Sequence, residues 1–367
     1  MFINTARLPH VLQPRLYSCS AQYELEQTRL FAPVWLAVGC ISDAPHDGDF
    51  FTCEHLGQPL LVRNIQGTFH TYLNVCPHRH CLLTHAAQGN SQTLTCQYHG
   101  WEFNEDGRTG KIPDAQSFKP FPGGSECLKK FRTEVRGPLI FVTLNDNAPA
   151  LAEQLGPLAD VCDEFPADRW RLSDSWSYEF AANWKVVVEN TVESYHVPTV
   201  HPRTLIRYGR EEEIEHGIRD DSTSMRSPIA TPAFYRHAAD WLLRSLEPGC
   251  THLYRLHHGF PNLFLIRVDA MLQVMIVTPL SAETSRLTVY VFVLRAAKKN
   301  LRSRLLTRAW GKFKCIVIRM ILAEDARLYP DLHRGMKCSP FQGTISTREE
   351  LVYAFQDYVY RGCGLAE

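Results

Sequence analysis

Apolar positions recur along this chain at two different periods, and the change of period divides it. From about Val34 to Leu144, short apolar and β-branched runs alternate with turn signals. Val34–Val38, Phe50–Glu54, Pro59–Arg63 and Phe69–Leu73 are separated by breaks such as Asp47-Gly48 and Asn64–Gly67. A further strand, Leu139–Leu144, precedes Asn145-Asp146-Asn147. These runs predict a compact all-β module with cysteine and histidine concentrated in its loops. Beyond it, Asn183–Tyr195 repeats at a helical period, with Trp184, Val188, Val192 and Tyr195 on one face. Strand-like runs return over Thr251–Arg295, at Asn262–Val268, Met271–Thr278 and Leu287–Leu294. Two helices close the chain. One covers Leu301–Tyr329 and allows a break. The other begins near Thr347, where Thr347 and Glu350 have capping-box spacing and Leu351, Phe355 and Tyr358 fall on the inner face. The predicted class is α+β. An all-β domain occupies 34–145, and a second domain, an antiparallel sheet flanked by helices, takes 1–33 and 146–367.

Composition narrows the picture by exclusion. Of 367 residues 45% are apolar and 21% charged, and the formal net charge is zero, so no global field favours nucleic acid or an anionic membrane. No basic-flanked apolar leader and no apolar run of membrane-spanning length is visible, and the expectation is a cytoplasmic protein. Twelve cysteines are spread from Cys19 to Cys363, Cys250 among them, and most read as buried thiols rather than a disulfide scaffold. Arg295–Lys314 is basic and contains no acid. It reads as a solvated helix face, with a docking patch for an acidic redox partner as the sharper alternative.

Two groups of residues have metal-ligand spacing. The first is Cys76-Pro77-His78, seventeen intervening residues, then Cys96-Gln97-Tyr98-His99. Each pair offers one thiolate and one imidazole from a short loop. Cys76 and Cys96 could bind one iron of a [2Fe–2S] cluster, and His78 and His99 the other. Neutral imidazoles in place of two thiolates raise the potential. The same set could bind zinc, although zinc motifs more often read Cys-x-x-Cys. The segment CPHRHCLLTHAAQGNSQTLTCQYHGWEFNEDG, with Gly100-Trp101 after the last histidine, resembles the Rieske domain of ring-hydroxylating and related oxygenases. That family usually has glycine where this chain has His80, so a small backbone adjustment is expected there. In respiratory Rieske proteins a first-loop cysteine pairs with one in the second loop. Cys81 would find Tyr98 at the partner position, so the resemblance favours the oxygenase or ferredoxin branch.

The second group is Glu189, Glu193 and His196, spaced to share a helical face, followed by Pro198 and His201. Pro198 is expected to stop the helix and turn His201 back toward His196. A third ligand should be a distant carboxylate. Asp325 falls in line with Ile318, Ile321 and Leu328 on an apolar helix face, where a cation would offset its burial, whereas Glu324 points to one side and reads as solvated or salt-bridged. Two histidines and one carboxylate form the facial triad of non-heme Fe(II) oxygenases. NWKVVVENTVESYHVPTVH is similar to the mononuclear-iron motif of the same oxygenase family, and Glu324-Asp325 lies where that family has its late acidic ligand.

The resemblance covers about Val34 to Tyr360 and implies a terminal oxygenase. Electrons from NAD(P)H would arrive through a separate reductase, with or without a ferredoxin, pass to the cluster and then to Fe(II), where O₂ is used on a small organic substrate. It also implies a homotrimer in which Glu193 bridges a Rieske histidine of one subunit, His99, to His196 of the next. Many aromatic-substrate members have Asp at the position of Glu193, which points to the quaternary-ammonium branch and to hydroxylation or N-demethylation of an amine. An aromatic-ring mono- or dioxygenase is the alternative. A Rieske electron carrier without oxygenase activity is the rival from another class.

Overall fold

The computed structural model describes residues 2–4, 6–119, 127–205, 213–229, 252–296 and 300–365. Cys250, Thr251 and residues 297–299 of the basic stretch lie outside the described residues. The chain divides into two compact units, Phe31–Phe165 and Met1–Leu30 with Pro166–Glu367. Together they form an α+β fold, one unit all-β in its sheet and the other an antiparallel sheet with flanking helices.

The first unit is built on β1 (Leu36–Cys40), β2 (Asp49–His55), β3 (Gln58–Ile65), β4 (Thr68–Leu73), β5 (Gln88–Asn90), β6 (Leu94–Thr95), β7 (Glu102–Phe103), β8 (Lys130–Arg136) and β9 (Leu139–Thr143). Among the described residues, seven of these form an antiparallel sheet ordered β1-β9-β8-β4-β3-β2-β5, and β6 pairs with β7 apart from it. The inner strand β3 is buried from Leu60 to Ile65, polar Arg63 and Asn64 included. Arg63 within it is 1% exposed, and its guanidinium donates to the carbonyls of Ser91 and Gln92, both at 2.6 Å. Charge-assisted bonds of this kind contribute about 1.5–3 kcal/mol each. They fix the chain just before β6, at whose tip the second Cys/His loop sits.

The second unit carries β10 (Trp170–Phe180), β11 (Glu215–Ile218), β12 (Ser222–Pro228), β13 (Leu253–Gly259), β14 (Leu263–Val268), β15 (Met271–Pro279) and β16 (Ser285–Leu294). They form an antiparallel sheet ordered β10-β16-β15-β14-β13-β12-β11. Its helices include α1 (Trp184–Val192), α2 (Val197–Val200), α3 (Leu301–Ala326), α4 (Tyr329–Cys338) and α5 (Glu350–Gly362). The long helix α3 lies on β10 and β16. At Gly311 an added Cβ would stand 2.2 Å from the Ser173 hydroxyl, so glycine permits this close approach.

Three local expectations are corrected. The helix expected over Asn183–Tyr195 ends at Val192, and Pro198 sits in the first turn of α2 instead of ending a helix. Proline is tolerated there because the amide it lacks has no helical partner. The capping box uses Ser346 and Glu349, while Glu350 is buried and accepts from the amides of Ile3 and Asn4 and from His216. Leu328, placed by period on the inner face of α3, lies beyond its end and is 36% exposed.

Candidate metal centres

The two Cys/His loops of the first unit are built alike. In one, the Cys76 amide donates to Cys81 O at 2.8 Å and the His80 amide to Cys76 O at 3.0 Å. In the other, the Cys96 amide donates to Trp101 O at 2.8 Å and the Gly100 amide to Cys96 O at 3.0 Å. The fifth residue of each loop is left-handed, with φ of 57° at His80 and 71° at Gly100. His80 thus adopts the conformation its loop needs, at a cost that glycine would not carry. Asn74 fixes the first loop by exchanging hydrogen bonds with Thr84.

Cys76 and Cys96 are 1% and 2% exposed, and burial with a hydrogen bond to Cys96 pushes the Cys76 thiol up to about 11. The rings of His78 and His99 stand 4.6 Å apart, and Nδ1 of His78 is buried without a partner. Trp101 stacks on His78 at 4.8 Å, and Phe118 meets it edge-on. Two apposed buried thiols beside two adjacent imidazoles, one with an orphaned nitrogen, supply the two-cysteine, two-histidine donor set of a Rieske [2Fe–2S] centre, so the residues fit the group. Cys81 is unpaired and Tyr98 faces solvent.

The second centre lies in the other unit. Asn183 caps α1 through its side chain, accepting from the Lys185 amide at 3.0 Å, and apolar burial from Trp184 to Val192 anchors the helix. Glu193 then leaves it in an extended conformation. Its carboxylate accepts from the Tyr195 and His196 amides and from Nδ1 of His196. The Glu193–His196 contact therefore comes from a turn and not from helical spacing. His196 and His201 flank the single turn of α2, with ring centres 5.2 Å apart. Glu189 stays in α1, half-buried against Tyr17 and Gln356, and desolvation there raises its carboxyl.

Asp325, in the last turn of α3, completes the group. Its Oδ1 lies 3.0 Å from Nε2 of His201 and 3.5 Å from Nε2 of His196, yet accepts no well-aligned hydrogen bond. The three candidate ligand atoms all fall within 4.8 Å of one another. Adjacent ligands of one octahedral metal stand about 3 Å apart, so lone pairs converge here as they would on a cation. A mononuclear metal-binding triad is present.

Glu324, expected to be solvated or salt-bridged, is paired inside this centre with His201. Glu324 accepts from Nδ1 of His201 at 2.7 Å and from the Thr204 hydroxyl. Each histidine thus gives its Nδ1 proton to a carboxylate and keeps Nε2 for the metal, the arrangement that fixes ring orientation in metal sites. Burial opposes protonation of His201, but Asp325 and Glu324 outweigh it and raise its pKa, while the contacts to Thr204 and His201 outweigh burial at Glu324 and hold its carboxyl low. The only sequence signal for Glu324 was its adjacency to Asp325.

Beside the triad is a cavity of about 340 Å³ between α3 and the sheet, walled largely by apolar side chains such as Met275, Ile318, Ile321 and Leu322. Comparison with known proteins now decides the family, because the family described as ring hydroxylating alpha subunit (catalytic domain) matches residues 167–364. The chain belongs to the ring-hydroxylating alpha subunits. The Rieske [2Fe–2S] domain matches residues 34–128 of this alpha subunit.

Two curated relatives mark its range. It is 32% identical over 237 residues to the glycine betaine monooxygenase oxygenase subunit of Chromohalobacter salexigens, covering 63% of this chain and 51% of that one. The chain thus spans about half that relative's length. It is 26% identical over 332 residues to the 2-halobenzoate 1,2-dioxygenase large subunit of Burkholderia cepacia, covering 78% and 69%. The fold is shared with a quaternary ammonium Rieske monooxygenase solved with L-carnitine (TM-score 0.75, 20% identity, 97% of this chain and 95% of that one). It is shared equally with naphthalene 1,2-dioxygenase solved with indole (TM-score 0.74, 17% identity, 96% and 92%).

Proposed function

We propose that this alpha subunit is the terminal oxygenase of a multicomponent system. It takes electrons from a separate reductase, directly or through a ferredoxin, and uses O₂ to oxidise a small organic molecule. The observation that carries this reading is the convergence of His196, His201 and Asp325 beside an apolar cavity. Cys76, His78, Cys96 and His99 hold the cluster, and His196, His201 and Asp325 hold the mononuclear Fe(II). When bound, the cluster supplies one-electron transfer and the Fe(II) supplies O₂ activation. The chain's own work is positional. Glu193 and Glu324 hold the two Nδ1 protons, Trp101 and Phe118 hold the ring of His78, and the apolar wall limits water around the reacting carbon.

A small amine or quaternary ammonium compound, hydroxylated or N-demethylated, is the first substrate reading. It is supported by Glu193 at the position where many aromatic-substrate members have Asp and by the glycine betaine and quaternary ammonium relatives. An aromatic acid is the second, favoured by the 2-halobenzoate relative and by a cavity wall that holds Lys314. In the homotrimer we infer, Glu193 joins His196 to His99 of the partner subunit.

Single turnover tests the reading. Protein is reduced, freed of reductant and exposed to O₂ with and without candidate substrates, and cluster reoxidation and product are followed. The expected result is substrate-accelerated reoxidation with product, strongly slowed in Glu193→Gln while both metal sites stay filled. Wild-type transfer in that variant would exclude the bridge. Product formation unaffected by His201→Ala would overturn the oxygenase assignment.

A further inference from the structure

The cavity has a polar end. Along α3 its wall is formed by Lys314, Val317, Ile318, Ile321, Leu322 and Asp325, which share one helical face. Lys314 and Asp325 are eleven residues apart, roughly 16 Å along the helix axis. Opposite this face, β15 presents Met271, Gln273 and Met275 on alternate positions. Gln273 stands out. It is 8% exposed, faces the cavity, and its amide makes no hydrogen bond among the described residues, although the strand around it is apolar and buried. Its side-chain oxygen and nitrogen are not sealed in the core but open on the cavity, where a bound polar group can pair with them.

Strand register places Gln273 and Lys314 at one depth. Gln273 pairs with Val291, and Val291 with Asp174. The neighbouring Ser173 meets α3 at Gly311 and at Cys315, the residue after Lys314. The Lys314 ammonium lies 4.6 Å from the centre of the Trp310 ring, which keeps it toward the end of α3 remote from the triad. Between this pair and the triad the wall is Met275, Ile318, Ile321 and Leu322. A fixed cation and an amide at one end, an apolar passage, and a metal triad at the other match an anion with an apolar tail.

We propose that Lys314 and Gln273 form a carboxylate subsite, so that the substrate is an amphiphilic organic acid. It enters tail first, with its carboxylate on the order of 10 Å from the carbon that is oxidised, the axial separation less the reach of both ends. This rests on the oxygenase reading and, of its two substrate readings, sides with the acid against the bare quaternary ammonium cation. The subsite disfavours a bare cation by like-charge repulsion, while a zwitterion that places its own carboxylate there remains acceptable.

The test is equilibrium binding to the purified full chain, by calorimetry, with straight-chain carboxylates from butanoate to decanoate and with matched alkyltrimethylammonium salts. Affinity should rise with acid length toward decanoate. Lys314→Gln should weaken decanoate binding tenfold or more, Gln273→Leu should weaken it less, and Lys314→Arg should retain it. Matched cations should bind at least tenfold more weakly than the acids. Decanoate affinity within twofold of wild type in Lys314→Gln, or cations binding as tightly as acids, would overturn the proposal. Iron analysis of the same samples separates the two levels: absent mononuclear iron would sink the oxygenase reading, whereas the subsite stands or falls on the binding series.

Discussion

Glu324 shows how much a single residue's direction can change a reading. One position from Asp325 on a helix is a rotation of about 100°, enough to move a carboxylate from the metal to the back of a histidine. Periodicity puts the two acids on different faces but cannot say what the second one touches, because His201 lies 123 residues away. Glu324→Ala should lower the affinity of the triad for Fe(II) about 10–100-fold. Glu324→Gln, which keeps an acceptor oxygen, should fall between that variant and wild type. Metal titration beside the unchanged visible absorption of the cluster checks this, and undiminished Fe(II) affinity in the alanine variant would mean that His201 needs no such support. His80 is the complementary case. Its departure from the family's usual glycine was visible in the sequence, and the chain accommodates it at φ 57° without losing either hydrogen bond of the loop. His80→Gly should raise stability by about 0.5–1 kcal/mol, since relief of left-handed strain exceeds the added chain entropy. A lower melting temperature for the glycine variant would contradict that balance.

At the scale of elements, long apolar runs are more legible than an alternation interrupted by a bulge. Met271–Pro279 is buried at every position but Thr278, and its apolar run announced it. Trp170–Phe180, an edge of the same sheet, sets Trp170, Leu172, Trp176, Tyr178 and Phe180 in alternation with polar residues, and the bulge before Asp174 interrupts that pattern. Pairing with β16 and the helix α3 lying across it complete its order. The start of α5 was placed correctly to within a few residues, but its acid had another task. Glu350 is buried, and its carboxyl is held below the ordinary value of 4.5 because bonds from Ile3, Asn4 and His216 outweigh desolvation. A depressed carboxyl contributes stability above its unfolded value and loses it as pH falls through the folded one. His216 acts in the same direction. Burial lowers its pKa below 6.5, so the unfolded chain takes up the proton first and acid again favours unfolding. Glu350→Gln should therefore cost about 1–3 kcal/mol near neutrality, and the gap from wild type should close below pH 4.5. Denaturant titrations across pH would measure it, and a constant gap would show that the carboxylate charge plays no part.

For the whole molecule, the two candidate ligand sets are legible because each is compressed into a short stretch with rigid internal spacing. Cys76 to His99 and His196 to His201 need no tertiary knowledge to be noticed. What spacing could not supply was convergence. Asp325 is joined to the histidines only when α3 crosses the sheet, and the cavity with Gln273 and Lys314 in its wall exists only between layers. Among the described residues no helix is long and apolar enough to cross a membrane.

The central claim is that one chain carries two chemically separate metal centres, and metal analysis combined with paramagnetic resonance tests it most directly. Protein reconstituted anaerobically with iron and sulfide should contain about three irons and two labile sulfides per chain, two irons belonging to the cluster and one to the triad. Asp325→Ala should contain about two irons and two sulfides, with the signal of the reduced cluster unchanged. A variant that kept the third iron, or a wild-type chain that stayed colourless and took up zinc at Cys76, His78, Cys96 and His99, would contradict the account.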